Sequence, residues 1–288
     1  MLNRQRIILY MLHKAGGKAS RIHLMKWAFL LTRETSSRGG AAFYDFLPYK
    51  YGPYSFLLGQ DIRNLVKSGL IGEPDDKTWS LLSRDDAALK PPRELQDVAR
   101  IMLRYRDNTL EDLIHSVYSR YPWFTINCER IRARLHERPV ARPAVYTIGY
   151  QGLSIDAFLN RLLESGIKML ADVRNTPLSR IFGFHRSTLL RLCENLGIEY
   201  RGFPELGVPS PDRTNLNTQK DREALFHRYR ERVSLHQRKC LASLAENMLE
   251  KSTALLCMES DPAHCHRSQL ADLVSRLTNL SVIHLQEV

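Results

Sequence analysis

Residues 144–174 read AVYTIGYQGLSIDAFLNRLLESGIKMLADVR. Two short apolar runs, Val145–Gly149 and Lys168–Val173, bracket a stretch with helical spacing. Ser154 offers an N-cap oxygen for that helix, and Gly166, just past Ser165, offers its stop. Strand, helix, strand within about 30 residues is the βαβ unit. The alternation continues to the end of the chain. Further strands are expected at Ile198–Arg201, Thr253–Met258 and Ser281–Leu285. The intervening helices begin at Ser187 (ended by Gly197), span about 220–250, and span about 267–277. Short apolar strands separated by helices predict a parallel sheet covered on both faces, a three-layer α/β domain. Right-handed crossovers bring all strand C-termini to one edge, where ligands bind.

Upstream, RPVARPA at 138–144 can sustain neither a helix nor a central strand, because of its prolines. It separates a mainly helical region, 1–140, from the α/β region, 144–288. The first helix places Ile7, Ile8, Met11 and Leu12 on one face. Ser20 caps a second helix whose apolar side is Ile22, Leu24, Trp27, Leu30 and Leu31. After the turn-rich segment FYDFLPYKYGPYS comes a third helix, Ser55 to Ser68, with Leu57, Leu58, Ile62, Leu65 and Val66 inward and Gly69 as its stop. Apolar Leu70-Ile71 and a run ending Trp79-Ser80-Leu81-Leu82 flank the turn Glu73-Pro74-Asp75-Asp76, a hairpin. Further helices are expected at about 93–106, at 110–119 after the cap Thr109, and at 127–137. Three helices followed by a hairpin is the order of a winged helix-turn-helix. The third helix is then the recognition helix, showing Gln60, Arg63, Asn64 and Lys67 on its non-core face. Arginine and asparagine suit guanine and adenine edges, and lysine suits phosphate. The run KYGPYSFLLGQDIRNLVKSGLI resembles winged-helix segments of phage-type antitoxin and regulator proteins. That resemblance implies binding of DNA or of a partner protein, and nothing catalytic.

The chain has 288 residues, 43% of them apolar and 25% charged, which excludes collagen-like, disordered and disulfide-scaffold classes. No apolar run reaches the roughly 18 residues that span a bilayer, and no secretory signal is evident. Five cysteines without framework spacing suggest reduced thiols and a cytoplasmic location. Net charge is +11, divided as +8 over 1–140 and +3 over 141–288. A basic chain favours polyanions, because phosphates release counterions to Lys and Arg. The expected partner is nucleic acid, foremost double-stranded DNA, with a nucleotide ligand as a further expectation.

Chemistry-bearing residues cluster where the strands should end. Tyr150 follows the first strand. The second is followed by Asp172, Arg174, Ser179, Arg180, Phe184 and His185, and the fourth by Cys257, Glu259, Cys265, His266 and Arg267. Thr-Ile-Gly-Tyr at 147–150, Asp-Val-Arg-x-x-Pro-x-Ser-Arg at 172–180 and Leu-Leu-Cys-x-Glu-x-x-Pro-x-x-Cys-His-Arg at 255–267 resemble the bacterial family called domain of unknown function 488. The resemblance runs over essentially all of 144–288 and implies a compact α/β domain with a pocket built from these motifs. Gly207-Val208 stands where that family's pattern has a glycine pair.

Arg174, Arg180 and Arg267 beside a helix N-terminus would make an anion site, helped by Ser179 and His185. Asp172 and Glu259, on strands expected to be neighbours, would raise one another's pKa and serve as general acid or base. The alternative is that they only pair with Arg174 and Arg267. Tyr150 or Phe184 could stack an everted base. Cys265, before a helix and flanked by His264 and His266, is a candidate nucleophile. A phosphatase-type loop fails, because the position six after Cys265 is Ala271. Cys257, Cys265, His264 and His266 have poor spacing for a metal, so neither metal nor cofactor is expected; Cys257 reads as a small apolar strand residue. The resulting expectation is a DNA-binding hydrolase, in its sharpest form a glycosylase that excises a modified base. Asp172, Glu259, Cys265 and His266 would be catalytic, and Tyr150, Arg174, Ser179, Arg180, His185 and Arg267 would hold the substrate. The rival expectation is a nucleotide-responsive transcriptional regulator without catalysis.

Overall fold

A computed structural model describes residues 1–82, 94–129, 137–213 and 218–285. The chain divides into two compact units, Met1–Glu137 and Arg138–Val288. No helix among the described residues is long and apolar enough to cross a membrane.

The first unit runs α1 (Asn3–Lys14), β1 (Lys18–Ser20), α2 (Arg21–Glu34), β2 (Leu47–Tyr49), β3 (Gly52–Tyr54), α3 (Phe56–Lys67), β4 (Ile71–Asp75), β5 (Thr78–Leu81), α4 (Leu95–Tyr105) and α5 (Leu110–Arg120). Ser20, Ser55 and Thr109 each accept a backbone N–H of the helix they open. Ile7, Ile8, Met11 and Leu12 pack with Trp27, Leu30, Leu31, Leu58, Ile62 and Leu65 in one core. The hairpin β4–β5 gains a third strand that the sequence did not announce, since β1 pairs antiparallel with β5. FYDFLPYKYGPYS is more regular than expected: β2 and β3 form an antiparallel ladder with Pro48 opposite Pro53. Prolines cannot donate, so a ladder with one in each strand is hidden from strand propensity. The helix expected at 127–137 falls largely on 130–136, outside the described residues.

Two buried charges hold this unit's irregular parts. Lys26 of α2 is 1% exposed, and its ammonium donates to the carbonyls of Tyr51 and Pro53 in the β2–β3 hairpin. Asp61 of α3 accepts from Arg4 Nε at 2.6 Å, Gln5 Nε2 at 3.0 Å and the Tyr44 hydroxyl at 3.0 Å. It thereby ties α1, α3 and the segment before β2 together. Beside that carboxylate, burial raises the Tyr44 phenol well above its ordinary pKa.

The second unit runs β6 (Val145–Gly149), α6 (Ile155–Glu164), β7 (Met169–Asp172), α7 (Arg186–Glu194), β8 (Glu199–Gly202), α8 (Gln219–His236), α9 (Arg238–Glu250), β9 (Thr253–Cys257), α10 (His266–Thr278) and β10 (Val282–His284). All pairings are parallel, in the order β10-β6-β9-β7-β8. The chain steps one way from β6 to β8 and returns the other way to β9 and β10. Right-handed crossovers then place α6 and α7 on one face and α8 to α10 on the other. The second face is visible as a core in which Val145, Met169, Ala171 and Leu255 meet Leu225, Tyr229, Leu244, Leu270 and Val274.

One expectation is corrected here. The helix over 220–250 is two helices, broken at Gln237, which leaves helical geometry at φ −119° and ψ 25°. No proline or glycine marks the break. A continuous helix of that length would run roughly 46 Å. The strands it packs on, and runs roughly antiparallel to, hold at most five residues, about 17 Å of length. Both halves carry apolar residues that need the sheet, so the rod bends.

Replacing Asp61 with alanine should strip Arg4, Gln5 and Tyr44 of their common acceptor. We expect a loss of about 3 kcal/mol, read as a lower urea midpoint, with Asp61→Asn intermediate.

Candidate active site at the sheet edge

The motif residues do gather at the C-terminal edge, but on opposite faces of the sheet. β7 and β9 are neighbours, as expected, with Asp172 paired to Leu256. Directly paired residues point to the same face and successive residues alternate. Asp172 therefore faces the α6–α7 side, while Cys257, one residue after Leu256, faces the α8–α10 side.

On the first face Asp172 is 1% exposed and Arg174 is 5% exposed. Arg174 Nε donates to Asp172 Oδ1 at 2.8 Å and its second terminal nitrogen to Oδ2 at 2.5 Å. Its other terminal nitrogen donates to the Phe184 carbonyl at 3.0 Å. The Tyr200 hydroxyl donates to Asp172 Oδ2 at 2.6 Å, and burial followed by that carboxylate raises the Tyr200 phenol strongly. A buried carboxylate is tolerable only when paired, and this one is fully engaged. Asp172 and Arg174 are thus structural partners, which corrects their expected roles as acid/base and phosphate ligand. Tyr150 and Phe184 are also corrected. Both are buried and stacked on each other, ring centres 4.3 Å apart and 14° from parallel, with Arg174 over the Tyr150 ring. Neither has a face to offer an everted base.

The loop beyond Arg174 stays outside. Ser179 accepts the Ile181 N–H in a tight turn. Arg180 and His185 are exposed, and His185 Nδ1 lies 3.0 Å from Ser187 Oγ at the start of α7. Further along, Gly207 passes so close to the backbone of Asn175 that a side chain there would overlap it. The close approach falls on Gly207, and its neighbour Val208 packs into the core.

On the second face the loop after β9 folds back over the sheet. Arg267 is 1% exposed and donates to the carbonyls of Glu259 and Ser260. It meets neither solvent nor the Glu259 carboxylate, so it is neither the expected phosphate ligand nor an ion-pair partner of Glu259. Gly149 makes room for the loop, since a Cβ there would overlap the Glu259 carbonyl. Held this way, Glu259 Oε2 accepts from Cys257 Sγ at 3.1 Å and Cys265 Sγ at 3.0 Å. His266 Nε2 lies 3.2 Å from the Val173 carbonyl, which assigns its N–H to that nitrogen. Nδ1 is left facing Cys257 Sγ at 3.7 Å.

Burial would raise the Glu259 pKa, but the thiol donors hold it below its ordinary value. The expected like-charge elevation by Asp172 is therefore absent, because the two carboxylates lie across the sheet from one another. Burial opposes ionisation of Cys265, yet the Cys257 thiol and His266 bring it down. Cys257, set against the Cys265 sulfur and buried, goes up. Cys257, expected as a plain apolar strand residue, is a member of this polar cluster.

Beside the loop lies a cleft of about 550 Å³, bounded by Gly149, Gln151, Gly152, Arg161, Ser260 and Asp261. Gln151 closes it by accepting the Ser260 N–H. Arg161, contributed from α6, was missed by the sequence reading because it follows no strand.

In the first unit, Arg63, Asn64 and Lys67 are exposed on α3 and Gln60 is half-buried. Three of them form a hydrogen-bonded row, Arg63 to Gln60 at 2.8 Å and Gln60 to Asn64 at 3.1 Å. A groove of about 720 Å³ runs beside α3, lined by Arg21, Lys50, Tyr51, Tyr54, Arg63 and Trp79 among others.

A parallel α/β domain whose loops carry a carboxylate–thiol–imidazole cluster at the strand ends defines the class of the second unit. Residues 154–274 match the family model described as Domain of unknown function DUF488, in keeping with the resemblance read from the motifs. The matched span includes 172–180 and 255–267 and begins after Thr-Ile-Gly-Tyr. No curated protein and no solved structure matches the chain.

Gly149→Ala should force the 259–260 loop off the sheet. A cost of about 2 kcal/mol is expected in chemical denaturation.

Proposed function

We propose that the protein binds double-stranded DNA through its first unit, as a winged-helix module, and hydrolyses a bond of nucleic acid with its second. The sharpest form of the reading is excision of a modified base, by a cytoplasmic protein with reduced thiols. The DNA-binding part is supported by three helices followed by a hairpin, in the order α1-β1-α2-β2-β3-α3-β4-β5, with the three-stranded sheet of β1, β5 and β4. It is also supported by the polar row on α3 and by the basic excess of 1–140. The observation that carries the hydrolytic part is Glu259, a half-buried carboxylate held below its ordinary pKa, in the loop whose next two residues, Ser260 and Asp261, bound the cleft.

A departing base leaves a cationic sugar, and a fixed carboxylate stabilises that charge or orients the attacking water. Glu259 takes this role and Asp172 does not. Arg180 and Arg161 supply the cations for phosphate in place of Arg174 and Arg267. The test is incubation with duplexes carrying varied modified bases, followed by mass analysis of released bases. Glu259→Ala should abolish release while leaving DNA affinity intact. If no base is released and no strand altered, the hydrolytic reading is lost.

One observation favours a second reading. The Glu259 carboxylate already accepts from two thiols, and the cleft beside it offers Gln151, Ser260 and Arg161, groups suited to recognition. A nucleotide-responsive regulator would use the cleft without turnover, and its footprint on an operator would shift with nucleotide.

For the first unit, Arg63→Ala should cost about 1–3 kcal/mol of DNA affinity and relax base preference at one position. Lys67→Ala should weaken all sequences alike and lower the salt slope by about one. Affinities measured across a salt series on two unrelated duplexes distinguish these effects, and absence of any salt-dependent binding would point to a protein partner instead.

A further inference from the structure

We propose that Cys257, Cys265, His266 and Glu259 form a binding site for a single thiophilic divalent cation of the Zn²⁺ class. This inference rests on no part of the nucleic-acid reading. Cys257 Sγ, Cys265 Sγ and one ring nitrogen of His266 all lie within 4.8 Å of one another, and all three residues are buried. Glu259 Oε2 lies 3.1 and 3.0 Å from the two sulfurs, outside the close trio, and His266 Nδ1 is 3.7 Å from Cys257 Sγ.

Tetrahedral Zn²⁺, with bonds of about 2.3 Å to sulfur and about 2.0 Å to nitrogen or oxygen, needs ligand atoms about 3.3–3.8 Å apart. The sulfur–oxygen and sulfur–nitrogen distances are within about half an ångström of that geometry, and the Glu259 carboxylate would swing further to meet the imidazole. Two soft thiolates with an imidazole select Zn²⁺ over the hard cations Mg²⁺ and Ca²⁺.

The hydrogen bond behind the imidazole is that of a metal-bound histidine. His266 gives its Nε2 proton to the Val173 carbonyl, which orients the ring and leaves the Nδ1 lone pair for a ligand. Charge points the same way. A dication held by two thiolates and a carboxylate keeps one net negative charge. Arg267, next in the chain to His266 and 1% exposed, meets only carbonyl oxygens, and its Nε finds no partner among the described residues. An anionic centre supplies the counter-charge that this buried guanidinium otherwise lacks.

The sequence argued against a metal because Cys257 and Cys265 are far apart for zinc ligands and Cys265 adjoins His266. The fold removes both objections. The loop pinned by Arg267 returns Cys265 to the end of β9. Cys265 is extended, at φ −127° and ψ 137°, while His266 begins α10, so the change of backbone conformation lets adjacent side chains enter one site. Binding replaces two S–H bonds by two metal–sulfur bonds and releases two protons to solvent. Glu259, half-buried where the other three are buried, is the ligand nearest solvent and the position a water or substrate oxygen would exchange with.

The experiment is Co²⁺ titration of the full-length chain, reduced and stripped with a chelator. The expected result is saturation at one equivalent, with thiolate-to-metal charge transfer in the near ultraviolet and intense tetrahedral d–d bands, both erased by one equivalent of Zn²⁺. Cys265→Ser and Cys257→Ser should each lose about half or more of the charge-transfer intensity, while Cys240→Ser keeps it in full. Because a serine variant could fail to fold, the wild-type chain gives a second readout. Zn²⁺ should protect Cys257 and Cys265, and not Cys240, from alkylation followed by peptide mass analysis. The proposal is overturned by a spectrum resembling hexaaqua Co²⁺, by charge transfer of undiminished intensity in Cys265→Ser, or by alkylation indifferent to Zn²⁺. A Cys257–Cys265 disulfide in protein that takes up no metal after reduction would also overturn it, and would make the pair a redox couple.

Discussion

The second unit turns on a buried guanidinium that holds backbone. Arg267 reaches from the first turn of α10 to the carbonyls of Glu259 and Ser260, and so folds the loop after β9 back across the sheet edge. Gly149, at the end of the adjacent strand, leaves the space that the returning loop occupies. Without that return Cys265 would lie well away from Cys257, and Glu259 would point into solvent. A cation placed against carbonyl oxygens has no opposing charge of its own. In a dry site it therefore demands an anionic neighbour, and the thiol–carboxylate cluster is the one at hand.

A second constraint divides the chemistry of this edge. Side chains alternate along a strand, so the register Asp172 to Leu256 sends Asp172 to one face and Cys257 to the other. On the Asp172 face, Arg174, Tyr200 and the Tyr150–Phe184 stack satisfy one another and knit the loop after β7 to the sheet. On the Cys257 face, donors and acceptors converge on one small volume with the spare capacity of an imidazole lone pair. One centre is closed as a structural element; the other retains the chemistry of a site.

The first unit solves a different problem with similar means. Its β2–β3 hairpin and the chain before it are rich in aromatics and prolines and make few ladder bonds of their own. Lys26 and Asp61, both inside the core, supply the missing tethers by donating to or accepting from groups remote in sequence. Buried charges that are fully hydrogen-bonded in this way specify where a segment sits, because any other placement leaves them unpaired. The face of α3 that carries Arg63, Asn64 and Lys67 stays outward as a result.

Much of the architecture was legible in the residues alone. The strand Val145–Gly149, the caps Ser20, Thr109 and Ser154, and the parallel order of elements in the second unit all follow from local propensity and hydrophobic period, which act within a few residues. The motifs at 172–180 and 255–267 likewise marked the edge that matters. Tertiary structure alone decided which motif residues meet. Facing depends on register between strands, and the break at Gln237 depends on the short length of the strands beneath it. The pairing of Cys257 with Cys265 depends on a loop held by an arginine whose partners are backbone oxygens, which carry no signature in sequence. Arg174 and Arg267 looked like parts of an anion site, with Asp172 as the acid or base beside it, because each lies beside a strand end. Burial withdrew all three from those roles, since charges inside a protein find partners before they find ligands.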